Sequence, residues 1–301
     1  MNVLYYHVDA FASQVFRGNS AGVCLLPQWP SDDQLLDMAR EHHLAETVFI
    51  SSFDGSIHVR WFTPELEMDL CGHATLAAGH VLMSEPSALS WLRERVKTDA
   101  TEVCLNSRSG ALTVHKMGEG KYRLDFPERP AASILNWRAN EEICYAVKSL
   151  GAEPHEVWRA RDLVCVYNDP LRVISMTPDP QIMSQINLGT GGVIITALGS
   201  GSGIIDQEGR EPDFISRFFT PQAELFEDDV TGSAHCTLAP FWGKYLERNT
   251  LTAYQASPRG GWLGLRLHDR DDLSGPKANR VWINGSAVTY LEGRIRLRTD
   301  I

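Results

Sequence analysis

Short apolar or alternating runs, broken by Gly, Pro, Asn and Ser, fill the first part of the chain and predict strands at 5–11, 21–26, 47–52, 57–62, 102–106, 111–116 and 121–126. Two stretches depart from that period. "PSDDQLLDMAREHH" opens with Ser31, a side chain suited to capping, and carries acidic residues in its first turn, so it predicts a helix. After Gly72, the residues Leu76, Ala77, His80, Val81 and Met83 recur at helical spacing, and apolar positions cover most of the circumference. A helix of that kind has to be enclosed by sheet.

The second part repeats the grammar. "NEEICYAVKSLG" reads as a helix ending at Gly151, strands follow at 163–167, 193–198 and 214–219, and a very apolar helix begins near Ser233. "WLGLRLHD", "RVWING", "SAVTYLEG" and "RIRLR" supply strands in the tail. The likeness extends to wording: "RWFTPELEMDLCGHATLAAGHVL" begins at Arg60, and "RFFTPQAELFEDDVTGSAHCTLAPFWGKYL" begins at Arg217. Two similar modules, each wrapping strands around one apolar helix, imply an old duplication. The linker is expected at "FPERPAAS" (126–133), giving domains 1–126 and 127–301, with a return of the last strand, about 288–301, to the first domain left open. Pockets favour domain interfaces, so the site is expected between the modules, with two helix N-termini offering N–H groups to a carboxylate.

Composition narrows the function classes. The 301 residues are 43% hydrophobic and 22% charged, which suits an ordinary globular protein of two domains. The formal charge is −10 and the 28 Lys and Arg are scattered, so a nucleic-acid partner is not expected. No apolar run approaches the roughly 20 residues of a membrane span, and "MNVLYYHVDAF" lacks the basic and apolar regions of a signal peptide. A cytoplasmic protein without membrane contact is the expectation. Of the six cysteines, Cys24, Cys71, Cys104, Cys144, Cys165 and Cys236, none forms a CxxC pair and most sit in apolar segments. Reduced, buried thiols follow, with no metal site.

The modules differ where chemistry would sit. "LAETVFIS" in the first faces "GTGGVIIT" in the second, so Glu46 aligns with a glycine. One base that removes and returns a proton on the same side suffices for an isomerase, whereas inversion needs two. Glu46 opens an apolar strand, where desolvation would raise its pKa; the alternative is a strand-edge Glu that reaches solvent or pairs with an Arg. His73 follows Gly72 at a helix start, whose positive potential favours a neutral imidazole, against a merely packed polar residue. Cys71 at the same end is either a thiolate of lowered pKa or a buried thiol. Asp228 and Ser233 flank Thr231-Gly232, where an acid is also a common cap; His235, one turn in, reads as a packed or hydrogen-bonded ring.

"FRGNSAGV" (16–23), "LAETVFI" (44–50), "CGHATLAA" (71–78), "DFISRFFTP" (213–221), "EDDVTGSAHCTLAPFW" (227–242) and "SPRGGWL" (257–263) together resemble the PhzF-like family of phenazine-biosynthesis isomerases, in order along essentially the whole chain. The resemblance implies the diaminopimelate-epimerase-like α+β fold: two pseudo-symmetric domains, each a barrel-like sheet around a central helix. It implies isomerisation of a small carboxylate by single-base proton transfer, without metal or organic cofactor, by a homodimer. It assigns Glu46 as the proton carrier, with His73, Asp228 and Ser233 catalytic, and Asn19, Gly72 and Gly232 shaping the pocket. Asp229 stands where the family has Pro, adding a charge. Thr231 stands where an epimerase would carry its second cysteine, opposite Cys71, which argues against a two-thiol epimerase. A non-enzymatic binding protein on the same fold and an epimerase or racemase are the alternatives.

Overall fold

The computed structural model describes residues 1–189, 191–221, 223, 225–268 and 279–297. The chain divides into two compact units, Met1–Phe126 joined by the segment from Trp282 onward, and Pro127–Val281. Both mix helices with sheet, so the fold class is α+β.

In the first unit the elements run β1 (Asn2–Ala10), β2 (Asn19–Leu25), α1 (Asp32–His42), β3 (Glu46–Phe53), β4 (Ser56–Phe62), β5 (Glu67–Met68), α2 (Gly72–Ser84), α3 (Pro86–Arg93), β6 (Glu102–Ser107), β7 (Gly110–Gly118) and β8 (Lys121–Pro127). Antiparallel and parallel neighbours alternate from β1 through β2, β3 and β4 to β6, after which β7 and β8 follow antiparallel. The terminal strand, Arg280–Arg296, pairs with β8 and antiparallel with β1, so eight strands close a ring. Closure removes the open edges that an eight-strand sheet would otherwise expose. Inside lies α2, every residue from Gly72 to Met83 buried, as its all-round apolar surface requires. Ser31 caps α1 in a full capping box with Gln34.

Alternation also decides what points outward. In β6, Val103 and Leu105 face the core and Cys104 between them is exposed, against the expectation of a buried thiol. The expected strands "RVWING", "SAVTYLEG" and "RIRLR" are one continuous strand, described as far as Arg296. Gly285 does not break it: a Cβ there would lie 2.4 Å from the Phe11 ring, so the glycine admits a close packing contact instead of a turn. Asp269 and Arg298, at the ends of two expected strands, lie outside the described residues.

The second unit contains β9 (Ala132–Ser133), α4 (Glu141–Leu150), β10 (Glu156–Arg159), β11 (Leu163–Val166), α5 (Pro170–Ser175), α6 (Pro180–Met183), β12 (Val193–Leu198), β13 (Phe214–Phe219), β14 (Glu227–Asp228), α7 (Gly232–Tyr245), β15 (Thr250–Gln255) and β16 (Gly261–Leu267). Its order from β10 to β16 repeats that from β1 to β7: antiparallel, parallel, antiparallel, parallel, antiparallel. Helix α7 takes the place of α2. Trp242 stacks on Phe214 at 5.7 Å and donates its indole N–H to Thr196 Oγ1 at 3.0 Å. Pro240 within α7 has no N–H for the carbonyl of Cys236, and that carbonyl accepts the N–H of Arg129 instead, at 2.8 Å. The helix defect thereby fixes the segment entering the unit.

The shared wording of the modules has a structural use. Arg60 makes a two-pronged ion pair with Glu67, both bonds at 2.7 Å, and Arg217 makes the same pair with Glu227 at 2.7 and 2.8 Å. Each guanidinium also lies over the aromatic ring two residues on, Phe62 or Phe219. The repeated Arg-aromatic-Phe-Thr-Pro thus ties β4 to β5 and β13 to β14, the hairpins that lead into α2 and α7.

Candidate functional site

At the start of α2 four of the expected residues meet. The parallel register of β2 and β3 sets Ala21 opposite Glu46, which brings Asn19, two residues earlier on β2, to the same end of the sheet. His73 is the second residue of α2 and is buried. Its Nε2 lies 3.0 Å from Glu46 Oε2, and its Nδ1 lies 3.1 Å from Asn19 Nδ2. Cys71, the N-cap, makes no side-chain capping bond and places its sulfur 3.6 Å from the same Nδ1. Glu46 therefore pairs with a histidine, neither reaching freely into solvent nor meeting an arginine.

Electrostatics corrects one expectation, at His73, and favours one of two alternatives, the buried thiol, at Cys71. Burial disfavours the His73 imidazolium, but the charges and hydrogen bonds of Cys71 and Glu46 outweigh it and hold its pKa well above the usual histidine value. The neutral ring expected from the helix start is not found; the carboxyl group at 3.0 Å can carry a full charge, against the fractional charge of a helix end. The Cys71 thiol is not lowered but pushed up to about 11, first by burial and then by Glu46. Cys71 stays a thiol at neutral pH, and the Glu46 carboxyl group is the acidic partner in contact with His73. A neutral ring accepts the Asn19 N–H; an imidazolium takes the amide oxygen once the side chain turns over, so Asn19 can follow the proton.

At the start of α7 the expected residues lie in a second network. Asp228 is not the cap: Thr231 occupies that position and its hydroxyl donates to Asp228 Oδ2. Gln255, fully buried, accepts the Thr231 N–H at 2.8 Å and donates to the Asp228 carbonyl at 2.7 Å, fixing the turn between β14 and Gly232. Asp229, in place of the family proline, has Arg259 of "SPRGGWL" 3.6 Å away. Ser233 accepts a hydrogen bond from Arg161 Nη2 at 3.2 Å. His235 donates from Nδ1 to the Thr231 carbonyl at 2.9 Å and stacks on Phe214, a packed ring as expected.

Arg161, Asp162 and Gln255 were not among the expected residues. Arg161 and Asp162 sit immediately before the four buried residues of β11, and a charged pair at the mouth of an apolar strand is a signal that could have found them. Gln255 gave no signal, since only the folded register carries it to the turn. Among the described residues, Glu46, Cys71 and His73 are the one cluster with a donor set of the kind that holds metal ions. Among them also, no helix is long and apolar enough to cross a membrane.

Known proteins share this framework. An uncharacterized isomerase of Halalkalibacterium halodurans is 38% identical over 300 residues, 99% of this chain and 100% of that one. An uncharacterized isomerase of Pseudomonas aeruginosa is 37% identical over the same shares of the two chains. A crystal structure of a PhzF-family phenazine biosynthesis protein from Enterococcus faecalis superposes with a TM-score of 0.80 at 38% identity, covering 99% of this chain and 100% of that one. The PhzC-PhzF description, phenazine biosynthesis-like protein, matches residues 8–293. With its motifs, its eight-strand ring around α2 and these relatives in agreement, the chain belongs to the PhzC-PhzF family.

Proposed function

We propose that the protein is an isomerase that moves a proton within a small carboxylate substrate, with Glu46 as the proton carrier. The observation that carries this reading is the contact of Glu46 with His73 at 3.0 Å beside the start of α2. Ionised Glu46 removes a proton from a substrate carbon and, as the carboxylic acid, returns it to another carbon of the same molecule. The carbon–hydrogen electron pair moves into the substrate's π-system and back, so the enzyme ends unchanged. Protonated His73 holds Glu46 in place through its Nε2 and brings a positive charge close to the charge developing on the substrate. Asp228 and Ser233 belong to substrate handling, Asp228 accepting from a hydroxyl or amino group. Cys71, a thiol at neutral pH, is a poor base beside a carboxylate. The isomerase names of the relatives support the reaction class.

Incubating the protein in heavy water with small cyclic and amino-acid carboxylates tests the reading, because exchange reports proton abstraction even without net product. Glu46→Gln preserves size and hydrogen bonding and should lower catalysed exchange by about 100-fold or more with ligand binding retained. Cys71→Ala should be milder. If Cys71→Ala abolishes exchange and Glu46→Gln leaves it intact, the carboxylate mechanism is wrong and a thiol mechanism replaces it.

A further inference from the structure

The two modules place opposite charges at corresponding points. In the first, the second residue of the central helix, His73, is held by a carboxylate, Glu46. In the second, the second residue of the helix, Ser233, is held by a guanidinium, Arg161. Gly191, which aligns with Glu46, has no room for a side chain: a Cβ there would lie 2.5 Å from the Arg161 carbonyl oxygen. The backbone of Arg161 fills the space that an acid would need, and its side chain supplies the reverse charge.

Arg161 is anchored. Its Nε and Nη2 donate to the two oxygens of Asp162 at 3.1 and 3.3 Å, and Asp162 is fully buried and also accepts the Gly192 N–H at 3.0 Å. Nη2 further donates to Ser233, while Nη1 takes part in none of these bonds, and the side chain stays 27% exposed. With a lone pair of Ser233 Oγ engaged by Arg161, the hydroxyl proton is left to be donated onward. The Nη1 N–H groups and the Ser233 hydroxyl, joined through the Nη2 bond to Oγ, together suit an acceptor with two oxygens. The chain as a whole carries −10, which repels anions at long range, and a fixed local cation of this kind offsets that repulsion for an anionic ligand.

We infer that Arg161 and Ser233 form a carboxylate-binding pair, with Asp162 as the positioning residue that aims the guanidinium. The inference rests on the proposed function only in taking the ligand to be a small carboxylate. It assigns the recognition of that group to Arg161, and it makes acid-over-ester selectivity a property of the second module.

Ligand-observed NMR titration with benzoate, anthranilate and 3-hydroxybenzoate, each against its methyl ester, tests the pair. Wild-type protein should prefer at least one acid over its ester. Arg161→Ala should weaken that acid by about tenfold or more and leave the ester unchanged, and added guanidinium ion should restore part of the loss. Arg161→Lys retains a charge for buried Asp162, so it remains informative if the alanine variant fails to fold; it should keep a reduced preference for the acid. Ser233→Ala should lower acid binding further in wild type than in Arg161→Ala. Equal loss of acid and ester in Arg161→Lys overturns the inference, as does a wild-type protein with no preference for any of the three acids. The same titration on Glu46→Gln separates the two readings: a selectivity that survives there and depends on Arg161 stands even if exchange shows that Glu46 is not the proton carrier.

Discussion

Burial without an acidic partner holds His42 and His235 neutral, each with its pKa pushed down to about 4. For His235 the Thr231 carbonyl opposes burial without overcoming it. As pH falls, the unfolded chain takes up these protons from about 6.5, whereas the folded chain takes them up only near 4. Each residue therefore costs stability progressively over that interval, reaching about 3 kcal/mol at its lower end. His73 has the reverse sign: its contribution is present below 6.5 and is lost as pH rises through its elevated folded value. His235→Phe preserves the stack on Phe214 and removes one titration. Urea unfolding at pH 7, 6, 5 and 4 should show the acid-side loss of stability shrinking by about 3 kcal/mol in this variant; an unchanged slope refutes the assignment. The residue-level site was half legible in the sequence. Glu46, His73 and Cys71 lie around one predicted helix start and one predicted strand start, so periodicity, together with the comparison of the two modules, brought them under suspicion. Arg161 is 72 positions from Ser233 and Gln255 is 24 from Thr231, distances over which only the folded register carries information.

At the scale of elements, the two Arg–Glu hairpin ties look alike and differ in their surroundings. Arg217 is enclosed, donating also to the carbonyls of Val173, Ile174 and Met176, with Glu227 as its only carboxylate among the described contacts. Arg60 has Asp32 as well, at 2.8 Å, and Glu67 meets Arg108 too. Glu227→Gln leaves an enclosed guanidinium without countercharge and should cost about 3–5 kcal/mol. Glu67→Gln leaves Arg60 paired with Asp32 and should cost about 1–2 kcal/mol. Guanidinium chloride unfolding of both variants settles the order; a larger loss for Glu67→Gln refutes it. The repeat was visible in the sequence because both ties need the same residues at the same spacing. The partners of the ties were not. β5 and β14 are two residues each, too short to show a period, and α5 and α6, at six and four residues, hide within what reads as irregular chain. Cys104 shows the converse, an apolar segment whose alternation carries one thiol outward.

For the molecule as a whole, the decisive element is the terminal strand, which starts in the second unit and runs into the first between β1 and β8. A chain ending at Val281 retains every residue of the second unit and leaves β1 and β8 each without one of its two neighbours. Hydrogen exchange on that truncated chain should show protection lost in β1 and β8 and kept in β11 and β12. Protection kept in β1 means the ring does not depend on the terminal strand; protection lost in β11 and β12 means the units do not hold independently. The truncated chain is also what a ribosome has made once the second unit is complete and the terminal strand is not. The amino-terminal unit, first to be synthesised, is last to be completed, because its missing stave is encoded after the whole of the other unit, on the order of ten to thirty seconds later. During that interval two unpaired strand edges face the surrounding solvent, and the order of birth and the order of maturation of the two halves are reversed.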